Sequence, residues 1–257
     1  MKKYNVGILG ATGAVGQEML NVLKEIDFPI NELKLFASSR SAGKVIEYNG
    51  KSYTILLAEK GAFKGLDFVL GAASNSVAVE LAEDIVNSGA VFIDNSSAFR
   101  MNEDVPLVVP EVNGEDVFKH KGIIANPNCS TIISMVAVNG INKLSKIKAI
   151  NACTYQATSG AGAAGPVELR KQMEALLNGD ELVSEVFQYQ IVENLIPQIG
   201  SFLDTDSEKA AITHAPPLEP SPQWSLGPLK CLLSLSLYRS YFMSILQISS
   251  PSISLSR

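Results

Sequence analysis

An α/β fold opening with a Rossmann-like, mostly parallel sheet is predicted by three observations. Short β-prone runs alternate with amphipathic segments, the connections between them are short, and spaced glycines separate the first strand from the first helix. Tyr4 to Leu9 is the first β-prone run, and it stops at Gly10. From Ala14 to Ile26, the residues Val15, Met19, Val22, Leu23 and Ile26 recur at helical spacing. Leu33 to Ala37 and Asp67 to Ala72 read as the next strands, Val77 to Asn87 as a helix ending before Gly89, and Ala90 to Ile93 as a further strand. Helices are expected on both faces of the sheet, and the domain is expected to span residues 1–128.

A second domain is expected over 129–214. Thr131 to Val138 begins an apolar helix, and Lys148 to Ala157 reads as a strand entering the loop Ser159-Gly160-Ala161-Gly162. Pro166 to Leu177 has helix-forming composition, with its proline where a first turn tolerates one. Residues 215–257 form an anomalous Ser/Leu/Pro-rich tail that holds 11 serines and 6 of the 12 prolines but only Glu219, Lys230, Arg239 and Arg257 as charges. It does not read as the end of a globular enzyme. Its scattered serines and Arg239 argue against a membrane span.

The bulk properties narrow the function classes. With 46% hydrophobic residues the chain can bury a full core. A net charge of −5 without a lysine-arginine cluster predicts neither nucleic acid nor a membrane surface as partner, and favours a small soluble substrate. The start of the chain lacks the apolar core of a signal peptide, and Cys129, Cys153 and Cys231 match no disulfide or zinc framework. A cytoplasmic location and no metal are the expectations.

Within Gly10-Ala11-Thr12-Gly13-Ala14-Val15-Gly16, the glycines let backbone approach a pyrophosphate, and the helix amides and dipole favour its charge. The plain alternative is a tight βα turn. The second strand ends Ala37-Ser38-Ser39-Arg40-Ser41 instead of in the acidic residue that accepts from an NAD ribose. An arginine among hydroxyls suits a 2′-phosphate, which favours NADP over NAD; alternatively Arg40 is a solvated loop charge. Cys129 precedes the apolar helix, with Ser130 and Thr131 as residue types that satisfy free amides there. A helix amino terminus favours the thiolate, the reactive form of the side chain. Cys153 sits in a strand pattern and reads as core, and Cys231 lies in the tail. Arg100 follows a predicted strand at the edge where open α/β sheets place ligands, and its fork suits phosphate or carboxylate.

Taken together, these segments resemble the aspartate-semialdehyde dehydrogenase family. The glycine loop, Ala37 to Gly43, Asp94-Asn95-Ser96-Ser97-Ala98-Phe99-Arg100, Val108 to Asn113, Asn126-Pro127-Asn128-Cys129-Ser130-Thr131 and Thr154 to Ala157 look like that family's motifs in its order. The resemblance runs to about residue 205. It implies a truncated α+β substrate and dimerisation domain after the Rossmann-like one, a homodimer if that domain is intact, and reversible NADPH-dependent reduction of β-aspartyl phosphate to aspartate semialdehyde and phosphate. That reaction lies on the route to lysine, threonine and methionine. Cys129 would attack the acyl phosphate, phosphate would leave, and the thioester would be reduced. By the same resemblance Arg100 and Asn128 bind substrate phosphate, and Gln156 contacts substrate beside the cysteine. Gly10, Thr12, Gly13, Ala14, Val15, Ser38, Arg40, Ser41, Ser159 and Gly160 meet the cofactor.

The sequence also departs from the family. A later Arg-Val-Pro-Val motif followed by an acid/base histidine is not present, and the two histidines, His120 and His214, do not match it. A proton shuttle of that kind contributes about 10²–10⁴ in rate. Lys209 is only a poor match for the family's phosphate-site lysine. An alternative reading is therefore a non-catalytic truncated or frameshifted product that retains nucleotide binding. A lesser one is N-acetyl-γ-glutamyl-phosphate reductase, whose cysteine is usually preceded by Pro-Gly where this chain has Pro-Asn.

Overall fold

The computed structural model of the chain describes residues 2–147, 150, 152–197 and 245–248. His214, Lys209, Cys231, the motif end at 198–205 and most of the 215–257 tail lie outside them. The described residues fall into two compact units, 2–147 and the remainder.

The first unit is built on a six-stranded sheet ordered β5-β2-β1-β6-β7-β8, and all of its pairings are parallel. Its strands are β1 (Tyr4–Leu9), β2 (Ile30–Ala37), β5 (Leu56–Leu57), β6 (Phe68–Gly71), β7 (Val91–Asp94) and β8 (Ile123–Ala125). An antiparallel hairpin, β3 (Val45–Tyr48) with β4 (Lys51–Thr54), is inserted between β2 and β5. Helices α1 (Ala14–Glu25) and α2 (Asn75–Asn87) follow β1 and β6, a short α3 (Pro110–Asn113) precedes β8, and α4 (Cys129–Leu144) follows it. The sheet is the Rossmann-like one expected.

Successive residues of a strand face opposite sides, and the core shows it. Val6, Ile8, Leu70 and Ile93 join the cluster containing Met19, Leu20 and Leu23 of α1. Leu9, Val69 and Phe92 join a second cluster with Ala78, Leu81 and Ile85 of α2. A sheet buried on both faces needs near-continuous apolar strands, and β1, β6 and β7 supply them. A third cluster packs Val109 and Val112 against Ile132, Met135 and Val138 of α4.

Element boundaries moved where tertiary pairing outweighed local pattern. β2 begins at Ile30 because it pairs along β1 from Tyr4 onward, although Asn31 and Glu32 interrupt its apolar run. Helix α4 begins at Cys129, two residues before the expected Thr131, because Asn128 caps it.

The second unit contains β9 (Ala152–Tyr155), paired antiparallel with β10 (Ile245–Ile248), the described piece of the tail. Helix α5 (Ala164–Asn178) starts two residues before Pro166. It holds the following segment through two buried polar side chains. Glu168 accepts the amides of Glu185, Val186 and Phe187, and Gln172 accepts those of Ile191 and Val192 while donating to the carbonyl of Val183. Burial alone would raise the Glu168 carboxyl, but the three amides and Lys171 outweigh it and hold the group below its ordinary value.

Candidate active site

Every parallel strand of the first unit ends at one edge, and the chain reverses direction in the sheet between β1 and β6. That switch point opens the crevice in which such sheets bind ligands. The turn after β1 is bound to both neighbours. The amides of Gly10 and Ala11 donate to the carbonyl of Phe36 on β2, and the amide of Ala72, after β6, donates to the carbonyl of Leu9.

The glycines of this turn do different things. Gly10 has φ +89°, and a Cβ there would lie 2.5 Å from the carbonyl oxygen of Ala72. At Gly16 it would lie 2.4 Å from the carbonyl oxygen of Gly10, so α1 packs directly on the turn. Gly13 is the N-cap of α1 with φ −78°, and the nearest atom to its Cβ would be 3.4 Å away. Gly10 and Gly16 thus answer to the protein's own packing, whereas at Gly13, exposed like Thr12 and Ala14 and beside half-buried Val15, a Cβ would make no more than an ordinary contact. With no acidic residue in the first turn of α1, nothing opposes an anion there. The residues present fit a dinucleotide pyrophosphate.

Beyond β2 the chain turns tightly, with the amides of Ser41 and Ala42 both donating to the carbonyl of Ser38. Ser38 and Arg40 are exposed and Ser41 is half-buried. The turn follows the strand bonded to β1 and stands at the same edge as the glycine loop.

Farther along that edge, Asn128 caps α4 by accepting the Ser130 amide at 3.0 Å, and Cys129 is the first helical residue. The capping residue is therefore Asn128 and not Ser130 or Thr131 as the residue types suggested. The Ser130 hydroxyl is buried without a hydrogen-bond partner among the described residues. The half-buried Cys129 Sγ lies 3.9 Å from Asn128 Oδ1, and no first-turn carboxylate competes with a thiolate. Arg100 is half-buried beside this terminus: its Nε donates to the Asn126 carbonyl at 2.7 Å and its Nη2 to the Asn95 carbonyl at 3.0 Å. Burial pulls the guanidinium below its ordinary value, opposed by the charges of Asp94 and Cys129. A nucleophile, a helix amino terminus and an arginine with unused donors make a site able to take an acyl group carrying an anionic leaving group.

Gln156, Ser159 and Gly160 belong to the second unit. The Thr154 hydroxyl donates to Gln156 Oε1 at 3.2 Å, and Ser159 and Gly160 lie in the 3₁₀ turn Thr158–Ala161 that leads into α5. Gly165 lets that helix close on the turn, since a Cβ would fall 2.0 Å from the Thr158 carbonyl oxygen.

Asp94, Asn126 and Asn75 also build this edge, although no role for them was legible in the sequence. Asn75 donates to the Ser97 hydroxyl at 2.8 Å and accepts the Ser97 amide at 3.0 Å, which ties the start of α2 to the Arg100 loop. Asp94 and Asn126 stood inside quoted motifs, so their signal was present but carried no role. His120 precedes β8 whereas Cys129 follows it, which sets them at opposite edges of the sheet. Its Nδ1 accepts the Gly122 amide at 3.0 Å. Among the described residues no cluster of three metal-ligating side chains occurs, and no helix is long and apolar enough to cross a membrane.

Comparison with known proteins gives this geometry a family. Residues 5–120 match the profile described as "Semialdehyde dehydrogenase, NAD binding domain", and 138–213 match "Semialdehyde dehydrogenase, dimerisation domain". The aspartate-semialdehyde dehydrogenase of Aquifex aeolicus is 50% identical over 205 residues, which cover 78% of this chain and 60% of that protein. The Bacillus subtilis enzyme of the same name is 41% identical over 250 residues, covering 91% of this chain and 72% of that protein. The crystal structure of aspartate semialdehyde dehydrogenase II from Vibrio cholerae matches with a TM-score of 0.78 at 45% identity, covering 81% of this chain and 63% of that one. A structure of that enzyme complexed with ASA matches with a TM-score of 0.80 at 43% identity, covering 83% and 64%. The chain spans about three fifths of the length of several of these relatives. By sequence and by fold alike, it belongs to the aspartate-semialdehyde dehydrogenase family.

Proposed function

We propose that this chain carries the chemistry of its family: reversible NADPH-dependent reduction of β-aspartyl phosphate to aspartate semialdehyde and phosphate, in lysine, threonine and methionine biosynthesis. The observation that carries the reading is Cys129 at the first position of α4 with Arg100 anchored beside it through Asn126. The Cys129 thiolate attacks the acyl carbon, a C–S bond forms, and the C–O bond to phosphate breaks. Arg100 and Asn128 receive the phosphate, whose charge grows as that bond breaks. Gln156 orients the acyl group. NADP would be held by Gly10, Thr12, Gly13, Ala14 and Val15 at its pyrophosphate, by Ser38, Arg40 and Ser41 at its 2′-phosphate, and by Ser159 and Gly160; when reduced and bound, it would supply the hydride. A crystal structure of an aspartate semialdehyde dehydrogenase from Candida albicans, with a TM-score of 0.51 and 28% identity, is described as with NADP. Residues 1–128 serve as the dinucleotide-binding domain and 129–214 as a partial catalytic and dimerisation domain. The protein works in the cytoplasm as a homodimer on a small-molecule substrate.

A second reading has one specific observation in its favour. His120 lies at the sheet edge away from Cys129, and no Arg-Val-Pro-Val motif followed by histidine occurs in the sequence. On that reading the chain binds NADP and is acylated at Cys129 but does not turn over. Phosphate-dependent NADP reduction by aspartate semialdehyde tests the first reading, with Cys129→Ser as the inactive control. Stoichiometric acylation of Cys129 without steady-state turnover would select the second.

A further inference from the structure

Asp94 ends β7 fully buried, and its carboxylate accepts from the Ser96 hydroxyl at 2.7 Å and the Ser96 amide at 3.1 Å. The Ser96 oxygen in turn accepts the Ala98 amide at 3.1 Å. Asp94 therefore closes the first turns of the loop that ends in Arg100. The return path is also bonded: the Asn126 amide donates to the Asp94 carbonyl at 2.9 Å, and the Asn126 carbonyl receives Arg100 Nε. The hydrogen bonds from Asp94 through Ser96 to Ala98, the chain from Ala98 to Arg100, and the bonds from Arg100 through Asn126 back to Asp94 together form a ring that starts and ends on one residue.

The charges within this ring are arranged unusually. Burial pushes the Asp94 carboxyl above its ordinary value, and the two Ser96 bonds and the charge of Arg100 pull it back. Asp94 and Arg100 sense each other yet form no ion pair among the described residues. A direct fork-to-fork pair would satisfy both groups and occupy the guanidinium. Here the two bonds to backbone carbonyls use only part of the five N–H donors of an arginine. The others are left for an oxyanion supplied from outside. A buried carboxylate is costly to keep, and a site it organises gives a reason for the cost.

We propose that Asp94 is a positioning residue that acts through Ser96 to preset the loop aiming Arg100 at the phosphate of the substrate. It rests on the reading of Arg100 as the phosphate site. The test uses the full chain and inorganic phosphate. The readout is the phosphate concentration that half-protects Cys129 from iodoacetamide, followed on the Cys129 peptide by mass spectrometry, with NADPH affinity measured by fluorescence alongside. Asp94→Asn should raise that concentration about tenfold, the size of one hydrogen bond to a charged group. NADPH affinity should stay unchanged, which a general loss of structure would not allow. Ser96→Ala cuts the same chain without removing a buried charge and should raise it about threefold, while Ser96→Thr restores it by keeping the hydroxyl. If Asp94→Asn does not fold, the Ser96 pair decides alone. Arg100-dependent protection that survives unchanged in Asp94→Asn and Ser96→Ala overturns the proposal. Absence of protection in the unsubstituted chain, or equal protection in Arg100→Ala, overturns the phosphate-site reading and the proposal with it.

Discussion

Alanine placed in turn at Gly10, Gly13 and Gly16 should separate what the β1–α1 turn does for the fold from what it does for a ligand. At Gly10 the positive φ costs an L-residue about 1–2 kcal/mol, and relieving a Cβ 2.5 Å from a carbonyl oxygen adds about 1–3 kcal/mol. At Gly16 the backbone is ordinary but the overlap, 2.4 Å, is as severe, so about 1–3 kcal/mol is expected there. Gly13 is the contrasting case. Its φ of −78° suits alanine and its Cβ meets nothing closer than 3.4 Å. Reduced freedom of the unfolded chain stabilises by about 0.4–1 kcal/mol, and alanine is the poorer N-cap by a similar amount, so the net is near zero. The methyl nevertheless stands where a pyrophosphate would meet the α1 amides, and a loss of about 1.4 kcal/mol in binding is tenfold in affinity. Urea denaturation and NADPH fluorescence titration read the two effects separately. Gly13→Ala should denature like the unsubstituted chain and bind NADPH at least about tenfold more weakly. Unaltered NADPH affinity in Gly13→Ala would refute this placement of the cofactor, and an undiminished midpoint in Gly10→Ala would refute the packing argument.

Three further outcomes follow from the local geometry. Removing the α4 cap with Asn128→Ala should lower stability by about 1 kcal/mol, measured by urea denaturation, and slow Cys129 alkylation as the first turn frays. The Glu168 carboxyl is held below its ordinary value, so its contribution is fully present above the unfolded carboxyl range and is lost as pH falls through the folded value. Glu168→Gln should flatten that acid limb of stability against pH, and an unchanged limb would exclude the amide clamp as its source. Burial lowers His120, so the folded state resists its protonation and stability should fall as pH drops from the ordinary histidine range through the folded value. The ring-proton titration of His120 by NMR should accordingly have its midpoint below the ordinary value.

Much of the first unit was legible because its strands and helices differ in period. β1, α1 and α2 announced themselves by apolar spacing, β6 and β7 by short apolar runs, and the glycine loop by its place between the first two. The hairpin β3–β4 did not, since Glu47, Lys51 and Ser52 interrupt its apolar residues, and β5 and β8 did not, since two or three residues are too few to read as an element. Cys129 and Arg100 stood out as candidates because their chemistry and setting coincide, and Asn128 only through the resemblance to a family. Asp94 and Asn126 were not, because a carboxylate and an amide in a motif do not reveal which backbone groups they will meet.

What the sequence by itself determined is therefore local: alternating elements, a helix with a thiol at its start, an arginine after a strand, and motifs that identify a family. Only the tertiary structure decided which glycine is open to a ligand. Gly10 and Gly16 are constrained by Ala72 and by the turn itself, and Gly13 by nothing closer than ordinary contact. It also decided that Asn128 is the cap and that Asp94 stands behind Arg100 without pairing to it. The physical reason is the same in each case. Steric overlap and hydrogen bonding act over a few ångströms between residues up to tens of positions apart in the chain, and only folding brings those residues within reach.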